Sequence, residues 1–340
     1  MIKNIWFNRT FSTASHYVEM IRNNPDRNDF NIFATHPKRH SLMLQVADYA
    51  ELEPILQLDE YPAYCLDFCK RHKIDIFIPH YGLNEIVKHR TQFEEIGTKV
   101  MLAGDENLLS LVDDKGMLFK TLKNVSGLHI PDYYVVQTLN EFMEAYTSLT
   151  DKGHRVCIKP VSGEGGAGFR IVTEDRKSIS SLYRSVDSSI HLEEIIRLLG
   201  SEPRFQRLMV MEYMHGNEYS VDCLGTPNGI AAAIPRKKVE GRIRALECND
   251  ELISMAHSIH KELPLQYNFN IQFIYQGSTP KLLEINPRTS GGLYTTCLSG
   301  INFPYLAVKL ILDQEIEIPV PKYNIYATHI EKEVLLSRQF

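Results

Sequence analysis

Glu284-Ile285-Asn286-Pro287-Arg288 is the stretch whose residue types and spacing speak most directly of chemistry. Alternate side chains of a strand share a face, so Glu284 and Asn286 point one way while Ile285 packs inward. Two oxygen ligands on one face, ending at a proline that stops the strand, suit a hard cation such as magnesium. Gln272, on the neighbouring strand candidate, completes the group from across the sheet, its neutral amide oxygen a weaker ligand than a carboxylate. Arg288, just past the strand end, turns a planar donor fork toward phosphate oxygens. Ser290-Gly291-Gly292 adds backbone N–H groups. The plain alternative is an exposed strand edge with an incidental acid and a turn at Pro287.

The second stretch, Gly163-Glu164-Gly165-Gly166-Ala167-Gly168, formally matches GxGxxG. A dinucleotide-binding turn needs a helix directly after it. Here Phe169-Arg170-Ile171-Val172 follows, apolar and partly β-branched, and therefore strand-like. Strand, glycine loop, strand is a hairpin, and the dinucleotide reading fails. Such a hairpin can lie over nucleotide phosphates, because backbone N–H groups approach oxygens closely where no Cβ intervenes. Protein kinases place their lysine on the strand after the loop, whereas Lys159 precedes this one and neither HRD nor DFG occurs. A ligand-free surface hairpin is the competing reading.

The elements that must position these residues alternate along the chain. Apolar runs at 5–7, 31–34, 74–79 and 99–102 read as strands, with amphipathic stretches at 12–22, 61–72 and 84–95 between them. This order implies parallel strands with helical crossovers, an open α/β layer. Ser12 is the expected N-cap of the first helix. A second region opens near Asp113-Asp114-Lys115 with a helix to Leu122, then strands at 133–136, 156–159, 169–172 and 208–212. Helices are expected at 139–149 and, mainly polar, at 178–199. A third region places strands at 219–224, 229–234, 270–274 and 281–285, with helices at 250–263 and 303–312. The tail beyond Pro319 adds a strand at 324–330.

With 340 residues, 44% hydrophobic and 23% charged, the chain has ordinary globular composition and room for two or three packed subdomains. A formal charge of −5 and a pI near 6.2 give no electrostatic footprint for nucleic acid. No apolar run approaches the roughly 20 residues that cross a bilayer, and Ile5-Trp6-Phe7 is too short for a signal peptide. Six cysteines without a CxxC fit reduced thiols, so the expectation is a soluble, cytoplasmic protein. Cys65, Cys69 and His72 share a helical face, but a buried stripe explains them better than zinc. His257 and His260 read as core or surface histidines, and Cys297 has no base paired to it.

In order and spacing these pieces, from about Asp113 to Leu312, resemble the ATP-grasp superfamily, in the branch of biotin carboxylase and the carbamoyl phosphate synthetase large chain. The preceding α/β layer resembles that family's N-terminal domain. The resemblance implies an open pre-ATP-grasp α/β layer (residues 1–111) and an ATP-grasp domain (112–317) of mixed α/β and α+β class. Its lid subdomain of about 130–212 and its metal-binding subdomain of 213–317 clamp the nucleotide, and a tail (318–340) packs on the core. Carried over position by position, Lys115 and Lys159 resemble the two phosphate-binding lysines. Ser162, Gly163, Glu164, Gly165, Gly166 and Gly168 resemble the loop that closes over the triphosphate. Glu212, Tyr213 and Met214 are similar to the hinge that meets adenine, and Glu218 to the acid that accepts from ribose. Gln272, Glu284 and Asn286 align with the metal ligands. Gln272 replaces a glutamate of many relatives, but the carbamoyl phosphate synthetase large chain has this glutamine too. Arg288 aligns with the arginine on the transferring phosphate or acyl phosphate, and Arg236 with a phosphate- or substrate-facing base.

The activity so implied is an ATP-dependent carboxylate–amine, or less often carboxylate–thiol, ligase. It would use magnesium, or manganese in its place, form an acyl phosphate and release ADP and phosphate. Positioning and charge neutralisation supply most of the rate in such transfers, and the glycine loop would exclude water. One ATP-grasp unit and no biotin-carrier segment argue against carbamoyl phosphate synthesis or acetyl-CoA-type carboxylation as such. The alternatives are a small-molecule phosphotransferase and a nucleotide-binding regulator without turnover. Partners are small-molecule carboxylates and amines, with no nucleic acid or membrane, and a homodimer is the default.

Overall fold

The computed structural model describes residues 2–163, 166–175, 178, 179, 183, 187–330 and 332–337. The chain divides into two compact units: Met1–Ser110 with Glu218–Gln272 and Ile285–Phe340, and Leu111–Asn217 with Phe273–Glu284.

The first unit opens with β1 (Lys3–Asn8), β2 (Phe30–His36), β3 (Tyr49–Leu52), β4 (Ile76–Ile78) and β5 (Lys99–Val100). All pair in parallel, in the order β3-β2-β1-β4-β5. Helices such as Ser15–Arg22 and Tyr61–His72 make the crossovers. Parallel pairing buries both faces of the central strand, which is why β1 reads as the unbroken apolar run Ile5-Trp6-Phe7. Trp6 is fully enclosed, its ring stacked 4.0 Å from Phe77 and 4.4 Å from Phe68. Three local expectations change. Ser12 does not cap a helix, because residues Ser12–Ala14 form a 3-10 turn whose N-cap, Phe11, makes no side-chain bond. The stretch 84–95 is broken into Leu83–Ile86, a 3-10 turn at Val87–His89 and Arg90–Glu95. The short, largely uncovered β3 was not expected, since Tyr-Ala-Glu-Leu carries too little apolar signal.

The second unit holds β6 (Tyr133–Val136), β7 (Val156–Pro160), β8 (Arg170–Thr173), β9 (Ser189–His191) and β10 (Leu208–Glu212), in the order β6-β10-β7-β8-β9. β7 and β8 are antiparallel neighbours, the hairpin that the glycine stretch demands. The expected helix at 178–199 is instead β9 followed by helix Leu192–Leu199, whose N-cap is His191. Part of that stretch, residues 180–182 and 184–186, lies outside the described residues. Helix Leu139–Asp151 packs on this sheet through Phe142, Ala145 and Leu149.

The third sheet comprises β11 (Glu218–Thr226), β12 (Gly229–Lys238), β13 (Arg244–Leu246), β14 (Tyr267–Gln276), β15 (Thr279–Asn286) and β16 (Ile325–Ala327), ordered β15-β14-β11-β12-β13-β16. β12 runs four residues past the expected end at Ile234, so Arg236 sits inside a strand. Within the first unit, one core joins β1, β2 and β4 to β11, β12 and helix Phe303–Ile311. β16 pairs antiparallel with β13 and draws the tail onto the sheet. The division between units falls in β14 after Gln272 and in β15 before Ile285.

Candidate active site

In the second unit, Asp114 starts the first of the site-bearing helices. Its carboxylate accepts from Met117 N at 2.9 Å and pairs with Arg207, which caps helix Lys115–Leu122 and fixes its first residue. Lys115 is 7% exposed and donates from Nζ to Gly163 O at 2.8 Å. Lys159, on β7, is equally enclosed and reaches Leu283 O at 3.4 Å. Burial brings Lys159 down to about 8 from 10.5, Glu284 opposes that shift, and Lys115 adds to it by like-charge repulsion. Two lysines, the start of the glycine hairpin and Glu284 therefore share one neighbourhood. Gly168 has a φ of +74°, and a Cβ there would lie 2.8 Å from the Pro160 ring, so only glycine closes this hairpin without strain. Ser162, Gly163, Gly166 and Gly168 are exposed. Glu164 and Gly165 lie outside the described residues.

Glu212 ends β10 with 1% exposure. Its carboxylate pairs with Lys281, accepts from Asp132 N at 2.9 Å and lies 3.5 Å from His154 Nδ1. An acid so occupied reads as a structural ion pair. Tyr213 N is itself bonded to Arg155 O at 2.7 Å, and Met214 is buried.

In the first unit, the Arg236 guanidinium is enclosed with Asp222, donating from Nε to Thr296 Oγ1 at 3.0 Å and from an Nη to Ser290 Oγ at 3.2 Å. The extension of β12 places it beside β11, where Asp222 waits. Asp222 also accepts from Ser290 Oγ at 2.7 Å, Thr296 Oγ1 at 2.5 Å and Asn270 Nδ2 at 2.9 Å. Asn270 Oδ1 in turn receives Gln272 Nε2 at 3.4 Å, leaving the Gln272 oxygen as the end for a ligand. A Cβ on Gly292 would lie 2.5 Å from the guanidinium carbon, so this glycine lets the 288–292 turn close over Arg236. Asp222 is thus the hub that residue-by-residue reading missed. Its signal was an acid inside the apolar run Val221-Asp222-Cys223-Leu224.

Arg288 is half-buried, donating to Thr289 O at 3.1 Å with its guanidinium carbon 5.9 Å from the Phe11 ring centroid. His80 Nε2 lies 2.9 Å from Thr289 Oγ1, and burial together with the Arg288 charge pushes this imidazole down to about 3. His80, Arg288, Thr289 and Asn268 line a cavity of about 20 Å³, room for one water and no substrate. Glu218 pairs with Lys238 at 3.0 Å, an exposed bridge of little energetic weight.

Glu284 and Asn286 are half-buried on one face of β15, and Gln272 is half-buried on β14. One carboxylate and two amides fall short of an all-protein cage but suit magnesium, which keeps waters and phosphate oxygens as partners. Among the described residues no group of three or more His, Cys, Asp and Glu could hold a metal alone. Cys65 and Cys69 are buried free thiols, and His72 pairs with Glu51 at 2.7 Å. His260 Nε2 donates to Leu265 O at 2.9 Å within the core. Among the described residues no helix is long and apolar enough to cross a membrane.

Residues 204–333 match the family described as ATP-grasp in the biosynthetic pathway with Ter operon, and 102–204 the sugar-transfer associated ATP-grasp family. The carbamoyl phosphate synthase large chain of Clostridium acetobutylicum is 21% identical over 267 residues, 74% of this chain and 23% of that protein. That of Methanospirillum hungatei is 24% identical over 327 residues, 94% of this chain and 29% of that one. The chain therefore spans only about a quarter of these curated relatives. Among solved structures, the ADP complex of N5-carboxyaminoimidazole ribonucleotide synthetase aligns with a TM-score of 0.68 at 15% identity, covering 96% of this chain and 80% of that one. Biotin carboxylase from Campylobacter jejuni, in a β-γ-ATP complex, aligns with a TM-score of 0.69 at 14% identity, covering 96% and 74%. Sequence relatives and fold neighbours converge on the ATP-grasp fold: both matching family models are ATP-grasp families, and the chain is similar to carbamoyl phosphate synthase large chains in sequence and to biotin carboxylase in fold.

Proposed function

We propose that the protein is an ATP-dependent, magnesium-requiring ligase that phosphorylates a carboxylate and passes the acyl group to an amine. The observation that carries this reading is the grouping of Lys115, Lys159 and the glycine hairpin with Glu284 in one compact unit. Two buried ammonium groups repelling each other are a poor arrangement for an empty protein and a good one for a polyanion. Lys115 and Lys159 neutralise the triphosphate, and Ser162 to Gly168 shields it from water. Glu284, Asn286 and Gln272 hold the metal ion, whose contribution is charge neutralisation at the phosphates. Arg288, held at the start of the 288–292 turn, stabilises charge on the transferring group. Tyr213 and Met214 contribute main chain to the base, and Glu218 takes the ribose. Manganese would substitute in the same donor set. The setting is the cytoplasm, where the six free cysteines stay reduced, and the assembly is a homodimer.

The test is an ADP-release screen with pooled carboxylates and amines, run with hydroxylamine to trap an acyl phosphate. Hydroxamate formation is expected. A stable phosphorylated product would make the protein a phosphotransferase, and ATP binding without ADP release across the panel would make it a sensor. Glu284→Ala is expected to abolish ADP formation at any magnesium concentration, and retained turnover would remove the metal assignment.

A further inference from the structure

The N-terminal sheet reverses direction between β1 and β4, since the chain runs outward from β1 to β2 and β3 and then crosses back to β4 and β5. Outside the carboxyl ends of the strands, such a reversal leaves a crevice where open α/β sheets take ligands. Asn8, the last residue of β1, fastens its two walls, accepting from His80 N at 2.6 Å and donating to Tyr61 Oη at 2.9 Å and Tyr81 O at 3.0 Å. Arg9 follows with a φ of 32°, a left-handed backbone that a non-glycine residue holds only at a cost. Its guanidinium carbon lies 4.1 Å from the Tyr81 ring centroid and 4.9 Å from that of Tyr61, and it pairs with the buried Glu53. Thr10, 1% exposed, has a buried hydroxyl without a hydrogen-bond partner among the described residues. From the end of β2 come His36 and then Lys38, Arg39 and His40, the last three exposed. Burial, and then the charges of Lys38 and Arg9, hold the His36 imidazole below its ordinary value. Glu53 offsets Arg9, while Lys38 and Arg39 join no ion pair among the described residues. The set is short of about two negative charges.

We propose that this strand-end crevice binds a phosphate monoester, with Arg9, Lys38 and Arg39 as its cations and the Thr10 hydroxyl as a further donor. A single carboxylate would leave one cation uncompensated, whereas a phosphate monoester carries about −1.5 to −2 at neutral pH and offers three acceptor oxygens. The ligand is then the phosphorylated end of the acceptor. As an acceptor site the crevice rests on the ligase reading above, but as a phosphate site it stands on these residues alone.

Inorganic phosphate is the probe, titrated at constant ionic strength and saturating ADP with fluorescence of Trp6 as readout. Trp6 is wired to the site, because its Nε1 donates to Thr35 Oγ1 at 3.2 Å, which donates to Glu53 Oε2 at 2.8 Å, whose partner is Arg9. A saturable change is expected, and the exposed double variant Lys38→Glu/Arg39→Glu should bind phosphate about tenfold more weakly. Lys120→Glu/Lys123→Glu, in the other unit, should leave the affinity unchanged. Equal affinity in the wild type and the Lys38/Arg39 variant overturns the proposal, as does a citrate response stronger than the phosphate response. Both double variants should keep ATP affinity. Loss of ATP binding in the wild type would sink the ligase reading without touching this site.

Discussion

Lys159 carries the sharpest consequence at the scale of one residue. Held near 8, it binds fewer protons than the unfolded chain, where the ordinary value is 10.5. Its penalty on stability is therefore constant below about pH 8 and relieved as pH rises toward 10.5. A bound polyphosphate returns the missing counter-charge and raises the value again, so ATP binding at pH 8 should take up protons. Calorimetry in two buffers of different ionisation enthalpy measures this uptake, and its absence would detach Lys159 from the nucleotide. Lys159→Ala should weaken ATP binding about 10- to 100-fold without lowering the unfolding midpoint. Asp222 is the opposite case, a residue whose role is internal. Asp222→Ala leaves the Arg236 guanidinium buried without its counter-charge, a loss of about 3–5 kcal/mol in chemical denaturation. The pair Asp222→Leu/Arg236→Met should cost less than that single change, and a greater cost would mean that the charge pair is not the term that matters.

Elements were legible where the local code was redundant. Helix Leu139–Asp151 begins with Thr138 accepting from Glu141 N at 3.3 Å while the Glu141 carboxylate returns to Thr138 N at 3.3 Å, a reciprocal cap. Thr138→Ala should cost about 1 kcal/mol in equilibrium unfolding, and a change within error would show that packing of Phe142 and Leu149 alone secures this helix. β6 was read with its observed bounds, and β10 likewise, because their apolar runs end at charged or turn residues. β3, β9 and the extension of β12 were not read, being short or polar and owing their strand geometry to neighbours already in place.

For the whole molecule, the two compact units have separate cores, and the cluster around Phe142 and Val210 is smaller than the one around Phe7 and Phe303. Trp6 is the only tryptophan and belongs to the larger unit. Urea titration should therefore show far-UV circular dichroism falling before Trp6 fluorescence moves. Coincident curves would mean a single cooperative transition. By itself the sequence determined the parallel N-terminal layer, the glycine hairpin and the residue types of the proposed nucleotide and cation site. Those depend on period, turn chemistry and charge, which are local. Tertiary structure alone decided that Glu212 is spent on Lys281, that Arg236 is spent on Asp222, and that Arg9 stands beside the basic loop after β2. A charged side chain takes whatever partner folding brings within reach, and partners separated by 14 to 69 residues leave no trace in local pattern.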